Sequence, residues 1–327
     1  KINGMGFKTL LWVGPFVAPD SPEYRDLKNK GLLIMRKSRK SPGILHWWSG
    51  YSAAYDLTKP EAVESLKCTL RDMQKKYGMH GFKFDAGDTK FVVGDFKFNK
   101  PDQIPMDYTH EWSKFALDFP YNEFRANARM GGQPVVLRLQ DKHHTWKDLR
   151  QIIPDMLAAG IMGYPYTCPD MIGGGDYVSF QPGAELDEKL VVRSCQAHAL
   201  MPMMQFSVAP WRVLSKKNME ICRKFARLHE KFGPYILELA RNASKTGEPI
   251  VRYMEYEFPN QGFENCKDQF MLGPKYLVAP IITEADEREV MLPAGEWKDD
   301  LGNVVKGPTT IKVSAPIERL PYFEKIK

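Results

Sequence analysis

Short apolar segments rich in β-branched and aromatic residues alternate with longer amphipathic segments through most of this 327-residue chain. Two of the longer segments have apolar residues at helical spacing: residues 59–77, with Pro60 near the start and Gly78 after the end, and residues 146–159, which stop at Gly160. Strands that alternate with helices are typical of parallel βα units. The predicted strands are residues 9–13, 81–85, 123–126, 134–139, 160–164 and 203–206.

Six strands of this kind fit two architectures, an open doubly wound sheet or a (β/α)₈ barrel. A dinucleotide-binding sheet needs a Gly-x-Gly-x-x-Gly turn after its first strand. The first predicted strand runs into Gly14-Pro15-Phe16 instead. This difference weakens the hypothesis of a nucleotide-dependent oxidoreductase.

The pattern changes after a long predicted helix at residues 218–244. Strand-like runs separated by turn residues follow from residue 250 onward, and no stretch of helical period lies between them. We therefore predict two domains, an α/β domain at residues 1–246 and a small antiparallel β-sandwich at residues 247–327. The predicted strands of the second domain are residues 251–254, 276–280, 289–292 and 310–313.

The distribution of charges, apolar runs and cysteines argues against binding of nucleic acid, a membrane span and a structural metal. The 46 Lys and Arg residues and 40 Asp and Glu residues are scattered, which argues against a nucleic-acid groove, and we expect the one basic run, residues 36–40, in a solvated loop. No apolar run approaches the ~18 residues of a membrane helix, so we predict no span in this segment. The five cysteines show neither a Cys-x-x-Cys pair nor zinc spacing, so we predict no structural metal.

The first candidate for chemistry lies at the end of the predicted strand 81–85, because barrel enzymes place catalytic residues at the C-terminal ends of their strands. Alternation along the strand puts Lys83 and Asp85 on one face and two Phe residues on the other. A lysine beside Asp85 would favour the carboxylate, as a nucleophile requires. A purely structural Lys–Asp pair is the alternative.

A second carboxylate, Asp141, ends the predicted strand 134–139 about two βα units later. Asp85 and Asp141 are therefore expected at the same mouth, and two carboxylates in that arrangement are what retaining glycoside hydrolysis needs. The adjacent pair His143-His144 invites a metal-site interpretation, but neighbouring residues seldom ligate one ion together. A loop role is favoured for both histidines.

Two further segments complete the candidate site. The glycine-rich segment 167–175 has no Lys-Ser/Thr pair of a phosphate-binding loop, so a substrate-contacting turn at a strand end fits it better. Consecutive tryptophans, Trp47 and Trp48, are either a stacking platform for a sugar or a cap on the hydrophobic core.

These residues carry a resemblance to glycoside hydrolase family 31. Residues 82–85 and 138–141 resemble the nucleophile and acid/base segments of that family, and residues 169–174 resemble its next strand end. Residues 270–280 and 292–297 resemble its closing stretch. The motifs occur in the family's order over nearly the whole chain.

The resemblance implies a role for each matching position. Asp85 corresponds to the nucleophile and Asp141 to the general acid/base. It also implies an α/β fold, a (β/α)₈ TIM barrel followed by the β-sandwich, and a reaction that uses no metal or organic cofactor. The positions that correspond to substrate-binding residues are Trp48, Lys83, Arg125, Asp170 and Gln205. For Arg125 a structural ion pair is the alternative.

Specificity and partners follow from the same resemblance. Gln205-Phe206-Ser207 before Pro210-Trp211 lacks the His that most α-glucosidases of the family carry nearby, and resembles a branch acting on α-linked galactose. The expected substrate is an oligosaccharide or glycoconjugate with a terminal α-linked hexose, and a homo-oligomer is an open possibility. An α-glucosidase and a catalytically inactive sugar-binding or regulatory relative remain alternatives.

Two expectations concern the context of the chain. Family members have a β-sandwich and two barrel strands before the segment that residues 9–13 match, so the interpretation is an N-terminally incomplete barrel with about six strands, not expected to be active in isolation. The triplet Asn242-Ala243-Ser244 predicts glycosylation of Asn242. A glycosylated protein would pass through the secretory pathway, in the ER/Golgi, the lysosome or outside the cell.

Overall fold

The structure is a computed structural model that describes residues 1–38, 40–100 and 102–327. The chain divides into two compact units, residues 1–137 and 138–327. Within the basic run at residues 36–40, Lys37 and Lys40 are exposed and outside any helix or strand, in agreement with the predicted loop, whereas Arg39 lies outside the described residues.

The first unit contains three α-helices and seven strands among its described residues, and its last strand continues by one residue into the second unit. The helices are α1 (Pro22–Asn29), α2 (Pro60–Tyr77) and α3 (Pro105–Ser113). The strands are β1 (Leu10–Val13), β2 (Phe16–Val17), β3 (Ile44–Trp47), β4 (Gly50–Ala54), β5 (Gly81–Phe84), β6 (Asn122–Phe124) and β7 (Leu137–Arg138).

The elements of the second unit change from helices to strands along the chain. Its helices are α4 (Trp146–Leu149), α5 (Ile152–Ile161), α6 (Glu188–Ala199), α7 (Pro210–Val213), α8 (Lys216–Thr246) and α9 (Met254–Glu257). Its strands are β8 (Thr167–Cys168), β9 (Val251–Arg252), β10 (Phe270–Leu272), β11 (Tyr276–Val278), β12 (Glu287–Asp299), β13 (Val304–Ser314) and β14 (Tyr322–Lys325).

A parallel sheet organises the first unit, with its strands in the order β1, β5, β6, β7. The predicted alternation along β5 is confirmed, because Phe82 and Phe84 are fully buried. The ring of Phe84 lies 4.6 Å from that of Phe124 and 5.2 Å from that of Trp112 in α3. This packing fixes one face of β5 in the core and leaves the other face for polar side chains.

Helix α2 begins and ends where the sequence predicted. Pro60 occupies its first turn, where its missing N–H costs nothing, and Gly78 follows it in the left-handed conformation. A small antiparallel sheet in the order β2, β4, β3 completes the unit and carries Trp47 and Trp48 at its tight turn.

Three predictions for the second unit are wrong in detail. The single helix expected at residues 146–159 is broken into α4 and α5, since Pro154 lies in the first turn of α5 and cannot continue a helix from the preceding turn. Helix α5 then runs to Ile161, over the first two residues of the strand expected at residues 160–164, and turn residues follow it instead of a strand. The strand expected at residues 203–206 is only an isolated parallel bridge between Met171 and Gln205.

The C-terminal part of the second unit is an antiparallel β domain, as predicted, except that the strand expected at residues 251–254 ends at Arg252 and the short helix α9 begins at Met254. Its strands follow the order β13, β12, β14, β11, β10, β9, and β12 changes register between Leu292 and Gly295. The core side chains of this domain include Phe258, Met271, Leu277, Val290, Trp297 and Phe323. Helix α8 ends before Gly247, which takes the left-handed conformation, while the domain boundary at this point stays a prediction.

In the described part of the chain, no helix combines the length and the apolar character that crossing a bilayer requires.

Candidate active site

Asp85 follows β5 directly and is buried. Its Oδ1 accepts hydrogen bonds from the Nε of Arg125 and from the backbone amide of Ala86, each over 2.8 Å. Its Oδ2 accepts a hydrogen bond from the indole Nε1 of Trp12 over 2.7 Å. Three donors thus surround this carboxyl group, and each of them favours the ionised form.

The pKa of Asp85 results from opposing effects. Burial raises the pKa of this carboxyl, but the hydrogen bonds from Arg125, Trp12 and Ala86 together outweigh burial and hold the pKa below its usual value. The group is therefore a carboxylate at neutral pH. An ionised carboxylate at a strand end is the state that a nucleophile requires.

The cation beside Asp85 is not the predicted one. Lys83 lies on the expected face of the sheet, but its Nζ pairs with Oε1 of Glu123 at 3.4 Å. The reason is the strand register, which places Lys83 and Glu123 directly opposite each other on β5 and β6. Arg125, one residue beyond the end of β6, reaches Asp85 instead.

Arg125 forms the ion pairs that were the structural alternative for it. Its Nη1 donates to Oδ1 of Asp88 over 2.9 Å and its Nη2 to Oδ2 of the same carboxylate over 2.5 Å. The guanidinium therefore binds Asp85 with one nitrogen and Asp88 with two. Sequence reasoning assigned no role to Asp88, although a second carboxylate three residues after the candidate nucleophile was a usable signal.

The two tryptophans of the pair have different environments. Trp47 is buried and its Nε1 donates to the hydroxyl of Ser52 over 3.0 Å, so it belongs to the core. Trp48 has 54% of its surface exposed and lies 4.9 Å from the guanidinium of Arg125. An exposed ring over a charged group beside Asp85 is a suitable stacking surface for a sugar.

A second polar cluster surrounds Arg138 in the second unit. The buried guanidinium donates through Nη1 to Oδ1 of Asp141 over 2.5 Å and to Oδ1 of Asp170 over 3.0 Å. The side chain of Asp170 is fully buried, whereas that of Asp141 is 46% exposed. Asp141 is thus the carboxylate of this cluster that is open to a substrate, and Arg138 is a partner that sequence reasoning missed.

Asp170 is a structural anchor. Its Oδ2 accepts the backbone amides of Lys142 over 2.7 Å and Gly175 over 2.9 Å. Burial raises the pKa of Asp170, and the amides of Lys142 and Met171 and the charge of Arg138 lower it only in part. These bonds join the loop that carries Asp141 to the glycine-rich turn that follows Asp170.

The turn needs glycine at two positions because the loops approach so closely. A Cβ atom on Gly175 would lie 2.6 Å from Oδ1 of Asp170 and 2.8 Å from Oδ1 of Asp141. A Cβ atom on Gly174 would lie 2.7 Å from the carbonyl oxygen of Lys142. The segment is the predicted turn at a strand end, and its backbone packs against the side chain of Asp141.

The remaining candidate residues are less central. Oε1 of Gln205 accepts a hydrogen bond from the thiol of Cys168 over 3.6 Å, and its carbonyl oxygen accepts the amide of Ile172 over 2.8 Å. Asn242 is exposed near the end of α8, as predicted, and its glycosylation stays a prediction. Among the residues that the structure describes, no three His, Cys, Asp or Glu side chains are grouped as metal ligands would be.

The structure thus forms two sets of candidate residues. Within the first unit it places Arg125 against both Asp85 and Trp48. Within the second unit it links Asp141 to Asp170 through Arg138. The common mouth expected for Asp85 and Asp141 stays a prediction.

Comparison with known proteins gives two family matches. Residues 1–239 match the model of the glycosyl hydrolases family 31 TIM-barrel domain, and residues 247–326 match the model of the glycosyl hydrolase family 31 C-terminal domain.

Individual relatives are similar over almost the whole chain. The myogenesis-regulating glycosidase of Mus musculus is 32% identical over 99% of this chain and 47% of its own length. The SITS-binding protein of Tetronarce californica is 24% identical over 92% of this chain and 45% of its own length. The structure of a Flavobacterium johnsoniae GH31 dextranase complexed with glucose superposes with a TM-score of 0.86 and 25% identity, covering 99% of this chain and 44% of that one. The chain therefore spans about half the length of the relatives it matches.

Proposed function

The chain belongs to glycoside hydrolase family 31. On this basis we propose that the protein is a retaining, exo-acting α-glycoside hydrolase with α-galactosides as the favoured substrates. The observation that carries the proposal is the setting of Asp85, a buried carboxylate whose pKa is held low by hydrogen bonds from Arg125, Trp12 and Ala86. A second carboxyl group with an open face, Asp141, is available as the acid/base.

In the first step Asp85 attacks the anomeric carbon and forms a covalent bond to it. The glycosidic C–O bond breaks, and the proton of Asp141 passes to the leaving oxygen. Arg138 binds Oδ1 of Asp141, so the proton that is transferred is carried on the other carboxyl oxygen, Oδ2. Retaining hydrolysis requires two carboxyl groups on opposite sides of the glycosidic bond, about 5 to 5.5 Å apart.

In the second step a water molecule gives a proton to the Asp141 carboxylate and its oxygen attacks the anomeric carbon. The bond between sugar and Asp85 breaks, and both carboxyl groups return to their starting states. Two inversions leave the released sugar with its original α configuration. The protein supplies nucleophile, acid and base from its own side chains.

The choice of sugar rests on sequence and likeness. The segment from Gln205 to Trp211 resembles the branch that acts on α-linked galactose, and this supports galactose. The likeness to a dextranase complexed with glucose supports an α-glucosidase as the alternative. The exposed ring of Trp48 suits stacking against either hexose.

The test compares hydrolysis of 4-nitrophenyl α-galactoside and α-glucoside by the full-length gene product. Asp85→Asn should lower kcat by about a thousandfold or more, because an amide cannot serve as the nucleophile. Asp95→Asn, at an exposed position whose carboxylate binds Ser38, is the matched control and should keep parent activity. NMR of the first-formed sugar should show the α anomer.

Three results would count against the proposal. Turnover of the glucoside alone would remove the preference for galactose. Equal rates in the parent and Asp85→Asn would remove Asp85 from its role. Release of the β anomer would exclude the retaining mechanism.

A sugar-binding protein without turnover is the second candidate. The ion pair of Asp141 with Arg138 favours it, because a carboxyl group held by a guanidinium is suited to accept hydrogen bonds from sugar hydroxyls, and binding needs no proton transfer. Saturable binding of methyl α-galactoside by calorimetry, with no product released from either aryl substrate, would support this candidate over the enzyme.

We also propose that Asn242 carries a glycan and that the protein passes through the secretory pathway. The exposure of Asn242 on α8 supports this proposal. Treatment with an endoglycosidase should reduce the apparent mass of the secreted or membrane-enclosed protein, and Asn242→Gln should abolish that shift.

A further inference from the structure

His144 connects the loop of Asp141 to two other segments. Its Nδ1 lies 2.7 Å from the carbonyl oxygen of Gly173, and its Nε2 lies 3.0 Å from the backbone nitrogen of Asp187. A backbone amide only donates, so Nε2 must be the unprotonated acceptor. The ring is therefore the neutral tautomer with its hydrogen on Nδ1, which donates to Gly173.

Asp187, at one end of this connection, is itself held by two side-chain hydrogen bonds. Asp187 caps α6, since its Oδ1 accepts the amide of Leu190 over 3.1 Å. Its Oδ2 accepts the indole N–H of Trp146 over 2.9 Å. His144 is thus bound to the residue that caps the start of a buried helix.

At the other end of this connection, the ring of His144 binds Gly173, which begins the turn that packs against Asp141. Gly173 begins the turn whose Gly175 donates its amide to Asp170 and packs so closely that a Cβ atom would lie 2.8 Å from Oδ1 of Asp141. Movement of Gly173 would displace Gly175, and Asp141 would then lose its defined position against the turn.

We propose that His144 is a positioning residue for Asp141: through its Nδ1–H hydrogen bond it holds the turn at residues 173–175, and the turn holds the acid/base carboxyl against the leaving oxygen of the substrate. The inference rests on the proposed hydrolase function. It assigns a role to His144, a residue of the His143-His144 pair that has no part in the catalytic steps described above and is not proposed as a metal ligand.

His143 provides a matched control on the same loop. Its side chain is 71% exposed and pairs with Asp176, while its ring makes none of the contacts to Gly173 and Asp187 that His144 makes. A substitution at His143 alters the same loop and removes one imidazole, but leaves the turn bound to His144.

The experiment uses a leaving-group comparison in the full-length protein. A general acid accelerates departure of a poor leaving group, such as methanol or phenol, and matters little for 2,4-dinitrophenolate, which leaves without a proton. His144→Leu should lower kcat for phenyl α-galactoside about tenfold or more and leave kcat for the dinitrophenyl glycoside close to that of the parent. His143→Leu should leave kcat unchanged for both substrates.

Two conservative variants separate the hydrogen bonds. The Asn side chain of His144→Asn can place an N–H near the position of Nδ1 and should restore most of the activity on phenyl galactoside. His144→Gln can accept from Asp187 but not donate to Gly173 and should show the loss seen for His144→Leu. If His144→Leu does not fold, His144→Gln carries the same test.

The outcomes are distinguishable. Asp141→Ala is the benchmark: if it shows no dependence on the leaving group, both the acid assignment and this inference fail. If Asp141→Ala shows the dependence but His144→Leu and His144→Gln lose activity equally on both substrates, His144 is only structural. Parent-like activity of these two His144 variants on phenyl galactoside overturns the inference and leaves the proposed function intact.

Discussion

The Nε–H group of Arg125 donates to Oδ1 of Asp85 over 2.8 Å, while both of its terminal nitrogens bind Asp88. The guanidinium group of Arg125 is therefore held by two carboxylates, and its positive charge lies beside Asp85, the candidate nucleophile. Because the guanidinium comes from beyond a neighbouring strand, the ionisation of Asp85 depends on the fold of the sheet as well as on its own strand.

Arg125→Gln should move the acidic limb of the pH profile of kcat/KM to higher pH. Arg125 lowers the pKa of Asp85 against the effect of burial, so its removal lets burial raise that pKa. Arg129→Gln is the control, since Arg129 is half exposed and pairs with Asp107. An unchanged acidic limb in Arg125→Gln would show that the guanidinium does not set this ionisation.

The same substitution should make the protein less resistant to acid. A folded-state pKa below the unfolded value of about 3.9 means that ionised Asp85 contributes stability above that pH and that the contribution is lost as the pH falls through the folded pKa. Arg125→Gln should therefore unfold at a higher pH than Arg129→Gln in an acid titration followed by circular dichroism. Coincident acid transitions would contradict the prediction.

Gly175→Ala should lower activity about a hundredfold with a smaller effect on folding. The added methyl group would lie 2.6 Å from Oδ1 of Asp170 and 2.8 Å from Oδ1 of Asp141, so both carboxyl groups or the turn itself must move. Gly4→Ala, where an added Cβ meets no atom within 4 Å, should behave as the parent. Equal kcat values for the two variants would show that the turn does not position Asp141.

Pro234→Ala should raise the free energy of unfolding by about 1 to 3 kcal/mol. Pro234 is exposed inside the 31-residue helix α8, where proline removes a hydrogen bond and crowds the preceding turn. Pro60→Ala, in the first turn of α2, should give no such gain, because proline suits that position. Urea unfolding of both variants decides the point, and an equal change in the two would contradict it.

Arg193→Leu should destabilise the protein by about 3 to 5 kcal/mol. The side chain is fully buried in α6, and its Nη2 donates to the carbonyl oxygen of Ala315 over 2.7 Å and to Asp286 over 2.9 Å. Lys189→Met removes a more exposed partner of the same Asp286 and should cost less than about 1 kcal/mol. A small loss in Arg193→Leu would mean that the apolar replacement packs as well as the ion pair.

The sequence pattern predicted those helices and strands in which the spacing of apolar residues indicates which face is buried. Helices α2 and α8 have one apolar face and clear end signals, and β5 alternates between Phe residues in the core and polar residues on the other face. Helix α6 gave no such signal, because all of its residues from Leu190 to Ala199 are buried, polar ones included. A helix buried on every side has no amphipathic period to read.

The candidate site shows the same division. The sequence by itself determined that Asp85 directly follows a strand, because strand length, alternation and the glycine that follows are local properties. Asp141 lies in the loop beyond the end of β7, which is shorter than the strand predicted at residues 134–139. Only the tertiary structure decided that Arg125 rather than Lys83 neutralises Asp85, and that Arg138 and Gly175 enclose Asp141. Strand register and loop approach select those partners, and both depend on residues far apart in the chain, which no local spacing records.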